Sequence, residues 1–127
     1  MSEKIALAAC SGMSPNGLIS RVSCDDISKS EPKVISICMG ATSGERTGFR
    51  EMIKKYPIIT VNGCDGQCAN KILAQRGVLA KDTIDVKEEL SKTDFKANDT
   101  SRLDAEGEKC VSEIKKIVYD KIEKNLD

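Results

Sequence analysis

Short apolar runs alternate with amphipathic stretches along most of the chain. Three runs, at residues 4–9, 33–38 and 57–61, are largely apolar without a polar alternation. Parallel strands that are covered on both faces carry such continuous runs, so we expect three buried strands. Residues 83–86 alternate weakly and predict a fourth, edge-like strand.

Helical spacing of apolar residues follows the predicted strands. The pattern predicts a helix from about 16 to 27, a second that starts at 43 or 44, and a third from 67 to 76. Gly77 is expected to lie just beyond the end of the third helix, where glycine is favoured. Residues 91–100 are polar and predict a surface loop.

The C-terminal segment from Ser101 carries the clearest helical pattern. Its apolar residues recur three and four positions apart, with lysines and acids between them. Ser101 and Asp104 fit a capping box only loosely. The apolar stripe predicts core packing, and any exposed part of it would provide a face for a homodimer or a partner protein.

The order of strands and helices predicts an α/β fold. We expect a small Rossmann-like three-layer domain, with a parallel sheet of about four strands and a long C-terminal helix. Residues 1–127 are interpreted as one domain, in which 1–90 carry the motifs and 101–127 form the C-terminal helix.

The charges argue against some classes of partner. There are 20 basic and 20 acidic residues, and only two Tyr and two Phe. We therefore expect neither nucleic-acid binding nor membrane insertion, and the absence of a signal-like N-terminus favours a cytoplasmic protein. In that compartment six cysteines indicate metal or redox chemistry rather than a disulfide framework.

Three predicted strands end at a cysteine that precedes a glycine-rich turn. These are Cys10, Cys38 and Cys64, and Cys68 follows four residues after the last of them. The carboxyl ends of parallel strands meet at one edge of a sheet, so we expect the four thiols to converge. A helix N-terminus stabilises negative charge, and the thiolate is the form that binds metals.

The chain contains no histidine, so a metal site must be built from thiolates, to which a carboxylate or a water can be added. Such a site suits Zn(II), Cu(I) or a thiophilic metalloid such as As(III), which favours three thiolates. The cysteines are widely spaced in a domain that should fold alone, which favours an ion-binding protein over a structural zinc site. Under the arsenite interpretation the protein would carry the ion to an efflux system.

The motifs resemble the DGC domain family. The similarity lies in Cys10-Ser-Gly, in Cys38 with its glycine-rich turn, and in Gly63-Cys64 with Cys68. It implies a small α/β domain and a zinc site formed by the four cysteines already named. The sequence departs from the family at Asn62, where the Asp of the family's name is expected.

A cysteine-dependent enzyme is the alternative of a different class. A thiol at a strand end before a helix is typical of low-molecular-weight phosphatases and arsenate reductases, which need C-x5-R. Asn16 and Gly44 stand where that arginine would follow Cys10 and Cys38. A redox role for the Cys64–Cys68 pair also stays open, although C-x-x-C is absent.

Several other residues have weaker predicted roles. Ser11 and Ser14 are candidates for hydrogen bonds to thiolate sulfur, as is Thr42. Asp65 is a candidate oxygen ligand, with simple solvation as the plainer alternative. The two remaining cysteines lie on predicted helices, and we expect both to be packing residues. They are Cys24 and Cys110.

Overall fold

The structure, a computed structural model, describes residues 4–10, 14–37, 51, 53–63 and 66–126. Four strands lie within them: β1 (Ile5–Cys10), β2 (Val34–Ile37), β3 (Ile58–Asn62) and β4 (Asp82–Asp85). They form one sheet in the order β2-β1-β3-β4, and each neighbouring pair is parallel. The predicted strands and their parallel arrangement are confirmed, and β4 lies at an edge.

Four helices lie entirely within the described residues: α1 (Pro15–Ser30), α2 (Cys68–Gln75), α3 (Val86–Ser91) and α4 (Ala105–Asn125). Residues 51 and 53–55 are also helical and belong to the second predicted helix. The start of that helix, at 43 or 44, lies outside the described residues.

Each face of the sheet has its own hydrophobic core. On one face, called face A, the strands pack against α1, α3 and α4. On the opposite face, called face B, they pack against α2 and Ile53. Face A receives Ile5, Leu7, Ile59, Val61 and Ile84, and face B receives Ala6, Ala8, Ile37 and Ile58. This alternation on a doubly covered sheet confirms the three-layer α/β class.

The ends of two helices follow from local hydrogen bonds. Ser14 caps α1 by accepting from the Gly17 N–H at 3.0 Å, and Pro15 takes the first turn. The helix therefore begins slightly before the predicted residue 16. Gly77 adopts φ 76° after α2, while the Val78 N–H donates to the Leu73 carbonyl at 3.0 Å. Gly77 thus has its predicted terminating role, in a Schellman motif.

The C-terminal helix begins later than the sequence predicted. The Asp104 carboxylate accepts from the Gly107 N–H at 2.7 Å and caps α4. Ser101 instead donates its N–H and its hydroxyl to Asp99, at 2.8 and 3.0 Å. The Ser101 start and its capping box with Asp104 are therefore wrong, because Asp104 is itself the cap. The short helix α3 was not predicted at all.

Candidate functional site

The carboxyl edge of the sheet, where the strands end, brings Cys10 beside Asn62. Cys10 is the last residue of β1 and is the register partner of Asn62, the last residue of β3. Side chains alternate along a strand, and Ala6 and Ala8 belong to the core on face B. Cys10 and Asn62 therefore belong to the same face, the one that α2 covers.

The topology makes a crevice at this point. β1 and β3 are neighbours, but the helices that follow them pack on opposite faces: α1 on face A and α2 on face B. In open α/β sheets, ligands bind outside the carboxyl ends of the strands at such a switch point. Cys10 lies on one side of the crevice, and Cys68 begins the helix on the other.

Cys68 stands at a sharp bend of the backbone. Gln67, just before it, adopts the left-handed conformation with φ 50°, which costs a non-glycine residue about 1 kcal/mol or more. The Gln67 side chain makes no cap hydrogen bond to α2. The bend leaves the Cys68 side chain exposed at the first position of the helix.

Asn62 supplies the cap that Gln67 does not. Its side-chain Oδ1 accepts from the Ala69 N–H at 3.1 Å, and its Nδ2 donates to Asn70 Oδ1 at 2.7 Å. Asn62 is only 1% exposed, so an unsatisfied amide there would be costly. The start of α2, and Cys68 with it, is consequently tied to the end of β3.

The hydrogen bonds continue from α2 to the edge strand. Asn70 Nδ2 donates to the Thr83 hydroxyl at 2.9 Å, and the Thr60 hydroxyl donates to the same oxygen at 3.0 Å. Thr60 is fully buried. This network, formed by Thr60, Asn62, Asn70 and Thr83, joins three elements beneath Cys68 and fixes the geometry of the crevice.

Gly63 holds the two sides of the crevice together. A Cβ on Gly63 would lie 2.7 Å from the Gly17 nitrogen and 2.8 Å from its Cα, both backbone atoms of α1. No larger side chain fits without separating the end of β3 from α1. Glycine is therefore required at this position by the close approach of the two backbones.

The structure describes two of the four predicted thiol ligands. Cys10 and Cys68 lie at the carboxyl edge, as the strand pattern predicts, whereas Cys38 and Cys64 lie outside the described residues. Within residues 4–10, 14–37, 51, 53–63 and 66–126, no three Cys, Asp or Glu side chains are grouped as a metal site. The four-cysteine ligand set stays a prediction.

The predicted supporting residues divide in the same way. Ser11, Thr42 and Asp65 lie outside the described residues. The Ser14 oxygen accepts from the Gly17 N–H as the cap of α1, which leaves its hydroxyl proton available as a donor. Ser14 therefore has a structural role whether or not it also contacts a thiolate.

Cys24 and Cys110 lie in the core on face A, and neither side chain has exposed area. Burial raises the pKa of the Cys24 thiol far above its usual range, and the neighbouring Asp25 carboxylate adds to the effect. Burial also raises the pKa of the Cys110 thiol, with smaller contributions from Glu106 and Asp104. Both are neutral packing residues, as expected.

The family model of the DGC domain matches residues 6–118. The chain belongs to the DGC domain family. Neither curated proteins nor solved structures gave a match. The match covers all of the described strands except Ile5 and extends into α4.

The role of Asn62 as the cap of α2 was not predicted from the sequence. The sequence showed Asn62 only as a departure from the Asp of the family's name. An aspartate oxygen would accept from the Ala69 N–H as the Asn62 oxygen does, so the role as cap survives the exchange. The sequence did contain a signal for this network: Thr60 and Asn62 are polar, lie two residues apart in an apolar strand and therefore share one face of the sheet.

Proposed function

We propose that this DGC domain binds a soft metal or metalloid ion, Zn(II) or As(III), through the thiolates of Cys10, Cys38, Cys64 and Cys68. The observation that supports it most is the position of Cys10 and Cys68 at the β1–β3 switch point. Two thiolates from different elements provide half of a tetrahedral zinc site, or two of the three ligands that trivalent arsenic favours.

The sequence places the other two cysteines next to strand ends. Cys64 is two residues beyond Asn62, the last residue of β3. Cys38 directly follows Ile37, whose register partner Ala8 is two residues before Cys10. Both cysteines are therefore close in sequence to strand ends that adjoin Cys10, which supports their inclusion in the site.

The two cores support a role for the ion as cargo. Apolar side chains fill both faces of the sheet, and the network beneath Cys68 is satisfied by protein groups alone. A domain of this kind does not need an ion to fold, unlike a zinc finger. We therefore propose a carrier, which under the arsenite alternative delivers the ion to an efflux system.

Native mass spectrometry tests this proposal directly. The reduced protein, kept without oxygen, is offered equimolar Zn(II) and arsenite. We expect one bound ion with loss of about two to four protons. A zinc adduct favours the tetrathiolate site, and an arsenic adduct that displaces zinc favours metalloid carriage.

Single substitutions give the matched controls. Cys38→Ala and Cys64→Ala should each weaken binding strongly, while Cys110→Ala removes a buried core thiol and should leave it unchanged. Unchanged affinity in either Cys38→Ala or Cys64→Ala would refute the proposed site. Failure of either ion to bind would favour the alternative, a cysteine-dependent redox or phosphatase-like enzyme, whose turnover would depend on one cysteine.

A further inference from the structure

The amino edge of the sheet, where the strands begin, carries a row of lysines. One lysine directly precedes each of β1, β2 and β4, and two lie just before β3 at the end of a helix. All five side chains are exposed: Lys4, Lys33, Lys54, Lys55 and Lys81. These residues are far apart in sequence, so only the parallel sheet brings them to one edge.

Backbone hydrogen bonds fix the order of this row. The Ile5 N–H donates to the Lys33 carbonyl at 2.9 Å, which places the starts of β1 and β2 together. The Lys81 N–H donates to the Ile58 carbonyl at 2.7 Å, which joins the starts of β3 and β4. With strands about 4.8 Å apart, the row extends over roughly 15 Å.

The carboxylates nearby do not neutralise the row. The Asp82 carboxylate lies 3.5 Å from the Lys121 ammonium of α4, and it also accepts from the Thr83 N–H. Glu31 accepts from the backbone N–H of Lys33 and leaves the ammonium group exposed. None of the five lysines forms an ion pair with any residue that the structure describes. The zero net charge thus conceals a basic edge.

An apolar groove opens within this basic edge. It has a volume of about 500 Å³ and lies between Lys54 and Lys81. Its lining includes Tyr56, Pro57 and Val78. Leu79 stands at the groove with 88% of its area exposed, more than any other large hydrophobic residue in the described ranges. Exposed apolar surface with a charged rim is typical of an interaction site.

We propose that the amino edge binds an acidic segment of a partner protein, with one apolar side chain of that segment in the groove. The lysines supply the attraction and the orientation, and the groove supplies a dry contact beside Leu79. The site is at the opposite end of the strands from Cys10 and Cys68, so a bound partner would leave the cysteine edge open. The proposal does not rest on ion binding.

The shape of the groove favours a peptide segment over other anionic partners. An extended chain presents acidic and apolar side chains at the same level, so both reach a concave surface between lysines. In a bilayer the acyl chains lie behind the headgroups, and a nucleic-acid backbone has no aliphatic side chain to fill the groove. Binding to a bilayer and binding to a nucleic acid are therefore the alternatives that the test must distinguish.

Fluorescence anisotropy with a labelled probe peptide tests the proposal. The probe carries glutamates and aspartates around a central leucine, and a second probe replaces the acids with lysines. We expect saturable binding of the acidic probe alone. The double variant Lys54→Glu/Lys81→Glu should weaken it at least about 10-fold, and Leu79→Ser by a smaller factor.

A double reversal elsewhere controls for total charge. Lys87→Glu/Lys96→Glu changes the net charge equally but lies away from the amino edge, and it should bind the acidic probe nearly as well as the unaltered protein. Equal weakening by both double variants would overturn the proposal, as would no binding at millimolar probe. Binding to phosphatidylglycerol vesicles or to an oligonucleotide, without binding to the acidic peptide, would overturn it in favour of that partner.

Discussion

Two pairs of cysteines show how one fold gives the same side chain opposite properties. Cys10 and Cys68 stand where a strand ends and where a helix begins, and Cys68 is exposed. Cys24 and Cys110 lie within α1 and α4, and both are fully buried. The first pair belongs to a crevice at a switch point, whereas the second fills the space between two packed helices.

The difference lies in what surrounds each thiol. The core excludes water, so it holds Cys24 and Cys110 in the neutral form and raises the pKa of both. At the carboxyl edge, the buried Asn62 amide instead holds the start of α2 by hydrogen bonds, and the Cys68 side chain is exposed to solvent. Position relative to a strand end is therefore the property that separates a candidate ligand from a packing residue.

Alkylation rates provide the largest expected contrast between the pairs. Cys68 should react with iodoacetamide at a rate close to that of the unfolded protein. Cys24 and Cys110 react only after the helices separate, so their alkylation rates should be at least about a thousand-fold lower than that of Cys68. Peptide-resolved mass spectrometry measures each rate. Rapid native labelling of Cys24 would mean that the α1–α4 interface opens readily.

Asn62→Leu should give the next largest effect, because the carboxyl edge depends on hydrogen bonds. It leaves the buried Ala69 N–H without its acceptor and the half-buried Asn70 Oδ1 without its donor. We expect a loss of about 2–4 kcal/mol in the free energy of unfolding, measured by urea titration. A midpoint equal to that of the unaltered protein would show that the network adds nothing to stability.

Asn62→Asp is the matched control for that substitution. One aspartate oxygen accepts from the Ala69 N–H, and the other accepts from Asn70 once the Asn70 amide turns over. Asn70 Oδ1 then accepts from the Thr83 hydroxyl, so the chain of hydrogen bonds is preserved. The cost should be less than half that of Asn62→Leu. A larger cost would indicate that the buried charge outweighs the preserved bonds.

The sequence predicts the features of the fold that depend on local pattern. Continuous apolar runs identify the strands, and the position of Cys10 at the end of β1 follows from where the run stops. The resemblance to the DGC domain family, which the sequence motifs indicated, is confirmed by the match over residues 6–118. Gly77 is likewise predictable, since a helix that ends in a left-handed residue favours glycine there.

Features that depend on distant residues were not predicted. Asn62 caps a helix that begins six residues later, and Gly63 is required because the Gly17 backbone lies against it. The start of α4 was misplaced because Ser101 and Asp104 are both residue types that cap helices, and only the structure shows that Asp104 is the cap. The row of lysines at the amino edge was not predicted, because the net charge of the chain does not show where the charged residues lie in the fold.

The smallest expected effect is the pH dependence of the core pair. Burial raises the pKa of the Cys24 thiol in the folded state, so above about pH 9 the unfolded chain releases a proton that the folded chain keeps. The stabilisation is complete below that pH and declines as the pH rises. Between pH 9 and pH 10 the folded state should lose about 1 kcal/mol through Cys24, with Cys110 acting in the same direction.

Urea titrations of the reduced protein and of Cys24→Ala measure this loss, since the variant lacks the thiol and should show a shallower decline. Parallel declines would mean that Cys24 ionises in the folded state as readily as in the unfolded one, which its complete burial opposes.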